Sequence, residues 1–195
     1  MTPLFDRYMD AIKHLLDQSE YYIQREKVEQ PLFIDEVTER IRRCRQSNGT
    51  VYWVGNGGSA AIAAHGAIDC LNSLAMKAMV FSDDAALTCF SNDFGYAQAF
   101  ARPLRLFAQA TDLLIAISSS GKSESILNAL QVAQERNCPV LTLSGFASDN
   151  PLRQRGDYNI YVPSNHYGLV ESVHGVLCHA ILDTFSAIEK GEARW

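Results

Sequence analysis

The sequence has no basic stretch, no long apolar run and no nucleotide-binding fingerprint. Its 195 residues contain 17 lysines and arginines against 22 aspartates and glutamates, and the net charge is −5. A chain without a basic stripe lacks the electrostatic footprint of a nucleic-acid-binding protein, so we expect no nucleic-acid partner. There is no GxxxxGK[ST] segment, and the GNGGSA segment departs from the GxGxxG spacing, so we also expect no nucleotide cofactor.

The sequence also lacks the features of membrane and secreted proteins. No apolar run approaches the roughly 20 residues that cross a bilayer, and residues 1–10 show no basic region followed by an apolar core. The five cysteines are odd in number and form no CxxC pair; they are Cys44, Cys70, Cys89, Cys138 and Cys178. We therefore expect a soluble, cytoplasmic protein with no membrane association, whose thiols are reduced and mostly buried, without a disulfide framework or a zinc finger.

The apolar pattern predicts a single α/β domain over residues 1–195. Apolar residues recur at helical spacing through residues 3–27, and a second helix is expected over 31–47. Candidate strands, separated by helical stretches, cover residues 50–54, 78–82, 112–117, 139–144 and 158–162. This alternation is typical of a parallel sheet covered on both faces, which we place in residues 50–190. The helices of residues 1–47 would pack on this sheet or on another subunit.

Two strand-to-helix corners have the composition of phosphate-binding sites. The first is TVYWVGNGGSAAIAAHG at residues 50–66, and the second is DLLIAISSSGKSES at residues 112–125. A helix N-terminus offers unpaired N–H groups and a partial positive charge, and serine hydroxyls add neutral donors. Either corner alone could be an ordinary turn, but the pair favours one phosphorylated ligand held twice. The candidate ligand-binding residues are Asn56, Gly57, Gly58, Ser59, Ser118, Ser119, Ser120 and Ser123.

Further polar residues follow at a strand end and on two helices. Asn92 and Asp93 come after the second core strand, where Asp93 could accept hydrogen bonds from sugar hydroxyls or simply form a turn. His65 and Asp69 are four residues apart on the helix after GNGGS and therefore share a face.

The last predicted helix, residues 168–189, adds a second set of ionisable groups. Glu171 and His179 are eight residues apart on it and roughly cofacial, whereas His174 and His179 lie about 140° apart around the axis. Together with His65 and Asp69, Glu171 and His179 could form a proton-transfer group or a metal site with nitrogen and oxygen ligands. A buried or hydrogen-bonded histidine without chemistry is the alternative for each, and the only interpretation of His14 and His166.

Five motifs along the chain resemble one family. GNGGSAA, SNDFGYAQAF, ISSSGKS, LTLSG and VESVHGVLCHAI occur in the order and spacing of the sugar isomerase (SIS) family, and are most similar to its phosphoheptose isomerases. The resemblance covers nearly the whole chain. It implies a three-layer αβα sandwich with a five-stranded parallel sheet, a homotetramer with sites between subunits, and interconversion of a ketose phosphate with an aldose phosphate.

The resemblance also implies roles for individual residues. Those already proposed in the two corners would bind the phosphosugar, together with Asn92 and Asp93. Asp69 and His179 would be the acid and base that pass protons between C1 and C2. Zinc, where the family binds it, would be held by His65, Asp69, Glu171 and His179.

This chain departs from the family pattern at catalytic positions. Asp69 replaces a glutamate, which withdraws the carboxylate by one methylene, and a misplacement near 1 Å can cost about 10²-fold in rate. Glu171 replaces a glutamine and adds a negative charge near the sugar and His179, which favours a protonated imidazole and a bound cation, and we count it as a third catalytic candidate. Lys122, in place of the usual asparagine, could add a cation for the phosphate or point to solvent.

Two classes of function follow from these residues. The first, which we favour, is an isomerase that works through an enediol, with sedoheptulose 7-phosphate as the best-supported substrate and five- and six-carbon sugar phosphates also possible. The second is a non-catalytic phosphosugar sensor or scaffold, which the loss of the glutamate supports. The retained His65, Glu171 and His179 argue against it, because ionisable groups are costly to desolvate in a pure binding site.

Overall fold

A computed structural model describes residues 3–192; the ends of the predicted domain, residues 1–2 and 193–195, lie outside the described residues. The helices are α1 (Pro3–Gln18), α2 (Gln30–Gln46), α3 (Gly58–Asn72), α4 (Asp84–Phe94), α5 (Ala101–Phe107), α6 (Glu124–Glu135) and α7 (Tyr167–Lys190). The strands are β1 (Glu20–Ile23), β2 (Glu26–Val28), β3 (Thr50–Val54), β4 (Lys77–Val80), β5 (Leu113–Ser118), β6 (Val140–Ser144) and β7 (Tyr158–Tyr161).

All seven strands form one sheet in the order β2-β1-β7-β6-β5-β3-β4. The five strands from β7 to β4 run parallel, and they lie at nearly the predicted positions. Each is connected to the next by at least one helix or by a long crossing segment, as parallel pairing requires. The predicted five-stranded parallel core of an α/β fold is therefore confirmed.

The predicted helix over residues 3–27 is wrong in its last third. Helix α1 ends at Gln18, and residues 20–28 form an antiparallel hairpin whose first strand pairs with β7. The local sequence EYYI is aromatic and β-branched, and Tyr21 lies buried against Phe33. Pairing with the sheet edge therefore outweighs the helical spacing of the apolar residues, and the sheet has seven strands rather than five.

Helices cover the two faces of the sheet and complete three layers. On one face, Trp53, Ile115 and Leu143 belong to a cluster that includes residues of α2, α3 and α7. On the other face, Leu114 and Ala116 pack with α5 and α6. Alternate residues of β5 thus enter opposite layers, and all six of its residues are buried, as expected for a central parallel strand.

The described residues also test the expectations about cysteines and membranes. All five cysteines are free, and each is buried except Cys89. Within residues 3–192, no helix combines the length and the apolar character needed to cross a bilayer.

Candidate active site

Both predicted corners lie side by side at the carboxyl edge of the sheet. Strands β3 and β5 are neighbours, with Val54 paired to Ala116, so the segments that follow them emerge together. Gly57 caps α3 with φ 56° and ψ −124°, a conformation that residues with a Cβ rarely adopt. Ser123 occupies the equivalent cap position before α6. Two helix N-termini therefore converge on one point of the sheet edge, where ligands bind in open α/β folds.

A cavity of about 250 Å³ lies between these two corners. Its walls are formed by Asn56, Gly57, Gly58, Ser59, Ile117, Ser118, Ser119, Ser120, Ser123, Tyr167 and Glu171. The eight residues predicted from the two corners all line it. Their proximity is observed, and their contact with a phosphosugar stays a prediction.

Hydrogen bonds connect the two corners and involve most of the serine hydroxyls of the second. The Asn56 side chain donates to Ser125 Oγ at 3.0 Å and accepts from the Tyr96 hydroxyl at 2.6 Å. Ser118 Oγ donates to Ser123 Oγ at 3.2 Å, while Ser119 Oγ is buried without a partner among the described residues. Because a buried hydroxyl without a partner is costly, Ser119 is the hydroxyl best prepared to bond a ligand.

Glu171 reaches into this cavity and contacts the start of α3. A Cβ atom on Gly58 would overlap Oε2 of Glu171, so with any other residue here the Glu171 side chain would have to move. The partial positive charge of the α3 N-terminus favours an anion at this point. The first corner therefore already faces a carboxylate of the chain itself, which repels a phosphate at that point. That one phosphorylated ligand contacts both corners stays a prediction.

His65, Asp69 and His179 come together in a separate groove between α3 and α7. Asp69 Oδ2 lies 3.6 Å from His65 Nε2 and 3.3 Å from His179 Nδ1, and the two imidazole centroids are 4.8 Å apart. The groove has a volume of about 220 Å³ and apolar walls that include Ile62 and Leu182. A carboxylate and two imidazoles in contact can accept, hold and donate protons.

Glu171 is not part of this cluster, so the predicted set of four metal ligands is not assembled in one chain. The ligand atoms of His65, Asp69 and His179 lie within 4.8 Å of one another, and that group does not include Glu171. Eight residues of α7 separate Glu171 from His179, a rise of about 12 Å along the axis. Both side chains contact α3, Glu171 at Gly58 and His179 at Asp69, but the helix rise places them at different levels.

The three clustered residues fit a metal ion by their chemistry and spacing. Zinc bonds of about 2.0–2.1 Å in a tetrahedron put ligand atoms roughly 3.3 Å apart. The two contacts to Asp69, at 3.3 and 3.6 Å, are close to that value. The group offers two nitrogen ligands and one oxygen ligand, and both imidazoles are accessible to solvent. Catalytic zinc sites have the same pattern of three protein ligands and one open position.

Three other predicted residues lie outside both cavities. Asn92 and Asp93 are exposed on α4, where Asn92 Nδ2 donates to Asp93 Oδ1 at 3.0 Å. Lys122 is exposed, and its backbone N–H donates to Ser120 Oγ at 3.3 Å. Ligand binding by Asn92 and Asp93 therefore stays a prediction.

Sequence reasoning missed two residues that shape the site. Tyr96 and Tyr167 were not proposed, although the first positions Asn56 and the second lines the serine cavity. The only sequence signal for Tyr96 is its place within SNDFGYAQAF. Nothing in the sequence distinguishes Tyr167 from the other residues at the start of the last helix.

His174 is a core residue. Its side chain is fully buried, and Nε2 donates to the Ser144 carbonyl oxygen at 3.2 Å. Burial lowers the pKa of His174 from 6.5 to about 4, so the folded protein keeps this imidazole neutral.

We expect His174 to make the folded protein less stable in acid. In the unfolded chain the His174 imidazole is protonated below about pH 6.5, whereas in the folded chain it is protonated only below about pH 4. The unfolded state therefore binds the additional proton first, so the free energy of unfolding is highest above pH 6.5 and decreases as the pH falls. At pH 4 the loss is about 3 kcal/mol of unfolding free energy. Urea unfolding of the wild type and His174→Gln between pH 7 and 4 measures it. Equal pH dependence in the two proteins would contradict the assignment.

Comparison with known proteins places the chain in a family. A family model described as "SIS domain" matches residues 8–145. The chain is 30% identical over 166 residues to a phosphoheptose isomerase of Azoarcus sp., covering 81% of this chain and 84% of that protein. It is 28% identical over 188 residues to that of Syntrophotalea carbinolica, covering 93% and 92%.

A solved structure gives the same result. The phosphoheptose isomerase of Neisseria gonorrhoeae superposes with a TM-score of 0.79 at 26% identity, covering 94% of this chain and 95% of that one. The chain therefore belongs to the SIS domain family, in which its relatives include the phosphoheptose isomerases.

Proposed function

We propose that this protein is an aldose–ketose isomerase acting on a sugar phosphate. The observation that carries the proposal is the contact between Asp69 Oδ2 and His179 Nδ1 at 3.3 Å, in a protein whose serine corner suits a phosphate. One of the two groups takes the C1 proton of the ketose and returns it to C2, and the other moves protons at the two oxygens. The names of the relatives support sedoheptulose 7-phosphate as substrate and D-glycero-D-manno-heptose 7-phosphate as product.

The serine corner would bind the phosphate as a dianion. Ser118, Ser119, Ser120 and Ser123 supply hydroxyl donors at the start of α6, whose dipole favours negative charge. The first corner, with Glu171 beside Gly58, would instead contact sugar hydroxyls. Hydroxyls donate to a carboxylate, whereas a phosphate is repelled by it.

A second copy of the chain would complete the site. Asp69 follows Gly58 by eleven residues of α3, about 16 Å of helix rise, whereas a seven-carbon phosphate with bonds of about 1.5 Å extends roughly 10 Å from C1 to phosphorus. A sugar bound at the serine corner is therefore too short to reach His65, Asp69 and His179 of its own chain, and we infer that it meets the same three residues of another subunit. This supports a homo-oligomer, and the family resemblance favours a tetramer.

Exposed apolar surface supports the same arrangement. Helix α1 exposes Leu4 and Phe5, and α3 exposes Ile68 and Leu71 beside the cluster. Helix α4, described in full, has no buried residue in the single chain. Covering α4 with a partner would also bring Asn92 and Asp93 into a neighbouring site.

A zinc ion, if bound, would be held by His65, Asp69 and His179, with Glu171 of the same chain too distant to join them. The ion would supply Lewis-acid polarisation of a substrate oxygen. The five free cysteines and the phosphorylated substrate both support a cytoplasmic location.

The direct test is turnover of a panel of five-, six- and seven-carbon ketose phosphates by the purified protein. We expect the seven-carbon ketose phosphate to give the highest kcat/KM. Binding of these sugars without turnover of any of them would favour a sensor or scaffold, for which the Asp69 and Glu171 departures would be the reason.

We expect Glu171→Gln to lower KM for the phosphosugar by about 10-fold and to change kcat less. Removing one negative charge from the cavity relieves its repulsion of the phosphate dianion. For two charges in a partly buried site this repulsion is roughly 1–2 kcal/mol. Steady-state kinetics of the variant measure it, with Glu26→Gln on the exposed strand β2 as a control of equal charge change. A lower kcat with unchanged KM would instead mean that Glu171 takes part in proton transfer.

A further inference from the structure

A second polar groove lies beside the hairpin and is lined by three arginines. It has a volume of about 250 Å³, its lining residues are Tyr22, Arg25, Arg153, Gln154 and Arg155, and none of them is acidic. It shares no lining residue with the serine cavity. The turn that carries Arg25 follows Ile23, which pairs with Tyr158 at the amino end of β7, whereas the serine corner follows the carboxyl end of β5. The groove is therefore a separate feature of the molecule.

Arg153 forms a rigid wall of this groove. Its guanidinium carbon lies 4.6 Å from the Tyr22 ring centroid and 4.0 Å from that of Tyr161. The same group donates to the Glu20 carboxylate, the Tyr22 hydroxyl and, at 2.7 Å, the Ser148 carbonyl oxygen. Its side chain is only 13% exposed. The charge of Arg153 is balanced by Glu20, and its position is fixed before any ligand arrives.

The other two arginines have no carboxylate partner among residues 3–192. Arg155 contacts the amide oxygen of Gln134 at 3.4 Å, and the Arg25 guanidinium forms no hydrogen bond or ion pair with any described residue. The neighbouring Asp157 is committed elsewhere, because its two oxygens accept from Gln24 Nε2 at 3.0 Å and from the Val140 N–H at 2.8 Å. Neither guanidinium thus forms an ion pair with a carboxylate of the described residues, in a protein whose net charge is −5.

The backbone holds Arg25 at the groove in an unusual conformation. Gln24 and Arg25 form the hairpin turn with φ of 48° and 72°, values typical of asparagine and glycine. The turn is tied to β7 by the Gln24 N–H, which donates to the Asp157 carbonyl oxygen at 2.8 Å. Strained backbone that the surrounding structure maintains is a feature of ligand-binding segments.

We propose that this groove is a second anion site that binds a phosphate group. Guanidinium forks match the oxygens of a phosphate, and Arg25 and Arg155 have free donors for it, while Arg153 and Tyr22 form the fixed wall. The volume suits an inorganic phosphate, a diphosphate or the phosphate end of a small metabolite. A bound anion links the hairpin turn to the segment before β7 and stabilises the folded state.

Calorimetric titration with inorganic pyrophosphate tests the site, with three variants. We expect two sites per chain in the wild type. The double variant Arg25→Gln/Arg155→Gln loses the groove site, with at least a 10-fold weaker Kd, and keeps the other. The double variant Ser119→Ala/Ser123→Ala loses the serine-corner site and keeps the groove. Arg7→Gln/Lys13→Gln, on the exposed face of α1, removes the same charge and behaves as wild type.

Further outcomes separate the sources of the phosphate and the alternatives. Titration with inorganic phosphate and with a ketose phosphate distinguishes a site for the free anion from one for a sugar ester. Unchanged stoichiometry and Kd in Arg25→Gln/Arg155→Gln overturn the proposal. The proposal is also overturned if the variant binds pyrophosphate as the wild type does but has a different oligomer mass in analytical ultracentrifugation. In that case the arginines contact a second copy of the chain. Isomerase turnover at saturating substrate stays at the wild-type value in this variant.

Discussion

Replacing His179 with glutamine lowers kcat for ketose phosphate isomerisation by about 10²- to 10⁴-fold, the usual contribution of a positioned acid or base. Glutamine keeps a polar side chain of similar reach but transfers no proton near neutral pH. The side chain is half exposed in the single chain, so its loss leaves folding intact. Steady-state turnover of the variant measures the effect, and KM changes much less than kcat.

The matched control for His179 is His14→Gln. His14 lies exposed on α1, away from the groove between α3 and α7, so its replacement leaves kcat at the wild-type value. If His179→Gln retains more than a tenth of the wild-type kcat while His14→Gln is normal, the imidazole of His179 is not the proton-transfer group.

Replacing Asp69 with asparagine produces a loss of similar size, about 10²- to 10⁴-fold in kcat. Both imidazole contacts in the cluster run to the same oxygen, Asp69 Oδ2, so this carboxylate orients His65 and His179 besides accepting protons. Asparagine preserves shape but removes the charge and the basic oxygen. The measurement is turnover of the variant, with circular dichroism and unfolding to establish that it folds.

Asp69→Glu is the companion variant, because it keeps the charge and moves the carboxylate by one methylene. We expect it to remain active, and a gain on sedoheptulose 7-phosphate would mean that aspartate has detuned the site for that sugar. If Asp69→Asn keeps the wild-type kcat, the carboxylate is not the proton-transfer group, whatever the activity of Asp69→Glu.

The core of the fold could be predicted because its strands are buried on both faces. The strands β5 (LLIAIS) and β3 (TVYWV) are apolar, aromatic or β-branched except for the final serine of β5, and glycine- or serine-rich turns follow them. Such segments fit few other structures. The hairpin at residues 20–28 was missed because Tyr22 and Ile23 also satisfy the helical spacing of α1. Only pairing with β7, which is more than 130 residues away in the chain, decides between the two.

The site was predictable in composition but not in its division into two cavities. Corners after parallel strands meet at one edge of a sheet, so the convergence of Asn56 and the four serines follows from the topology. Helical phase predicted that Glu171 and His179 share a face of α7, but it carries no information about which neighbour each side chain meets. The contact of Glu171 with Gly58 depends on how α7 crosses α3, which the sequence of neither helix reveals.

The most direct test of the isomerase account is the fate of the substrate proton. The protein, analysed for metal, is incubated with sedoheptulose 7-phosphate in D₂O, and carbon-bound deuterium is followed by NMR. Transfer of a proton through Asp69 and His179 predicts deuterium at C2 of the aldose and at C1 of recovered ketose, because a protonated side chain exchanges with solvent. Isomerisation without any deuterium incorporation, the result of direct hydride transfer between C1 and C2, would contradict proton transfer through these solvent-exchanging side chains.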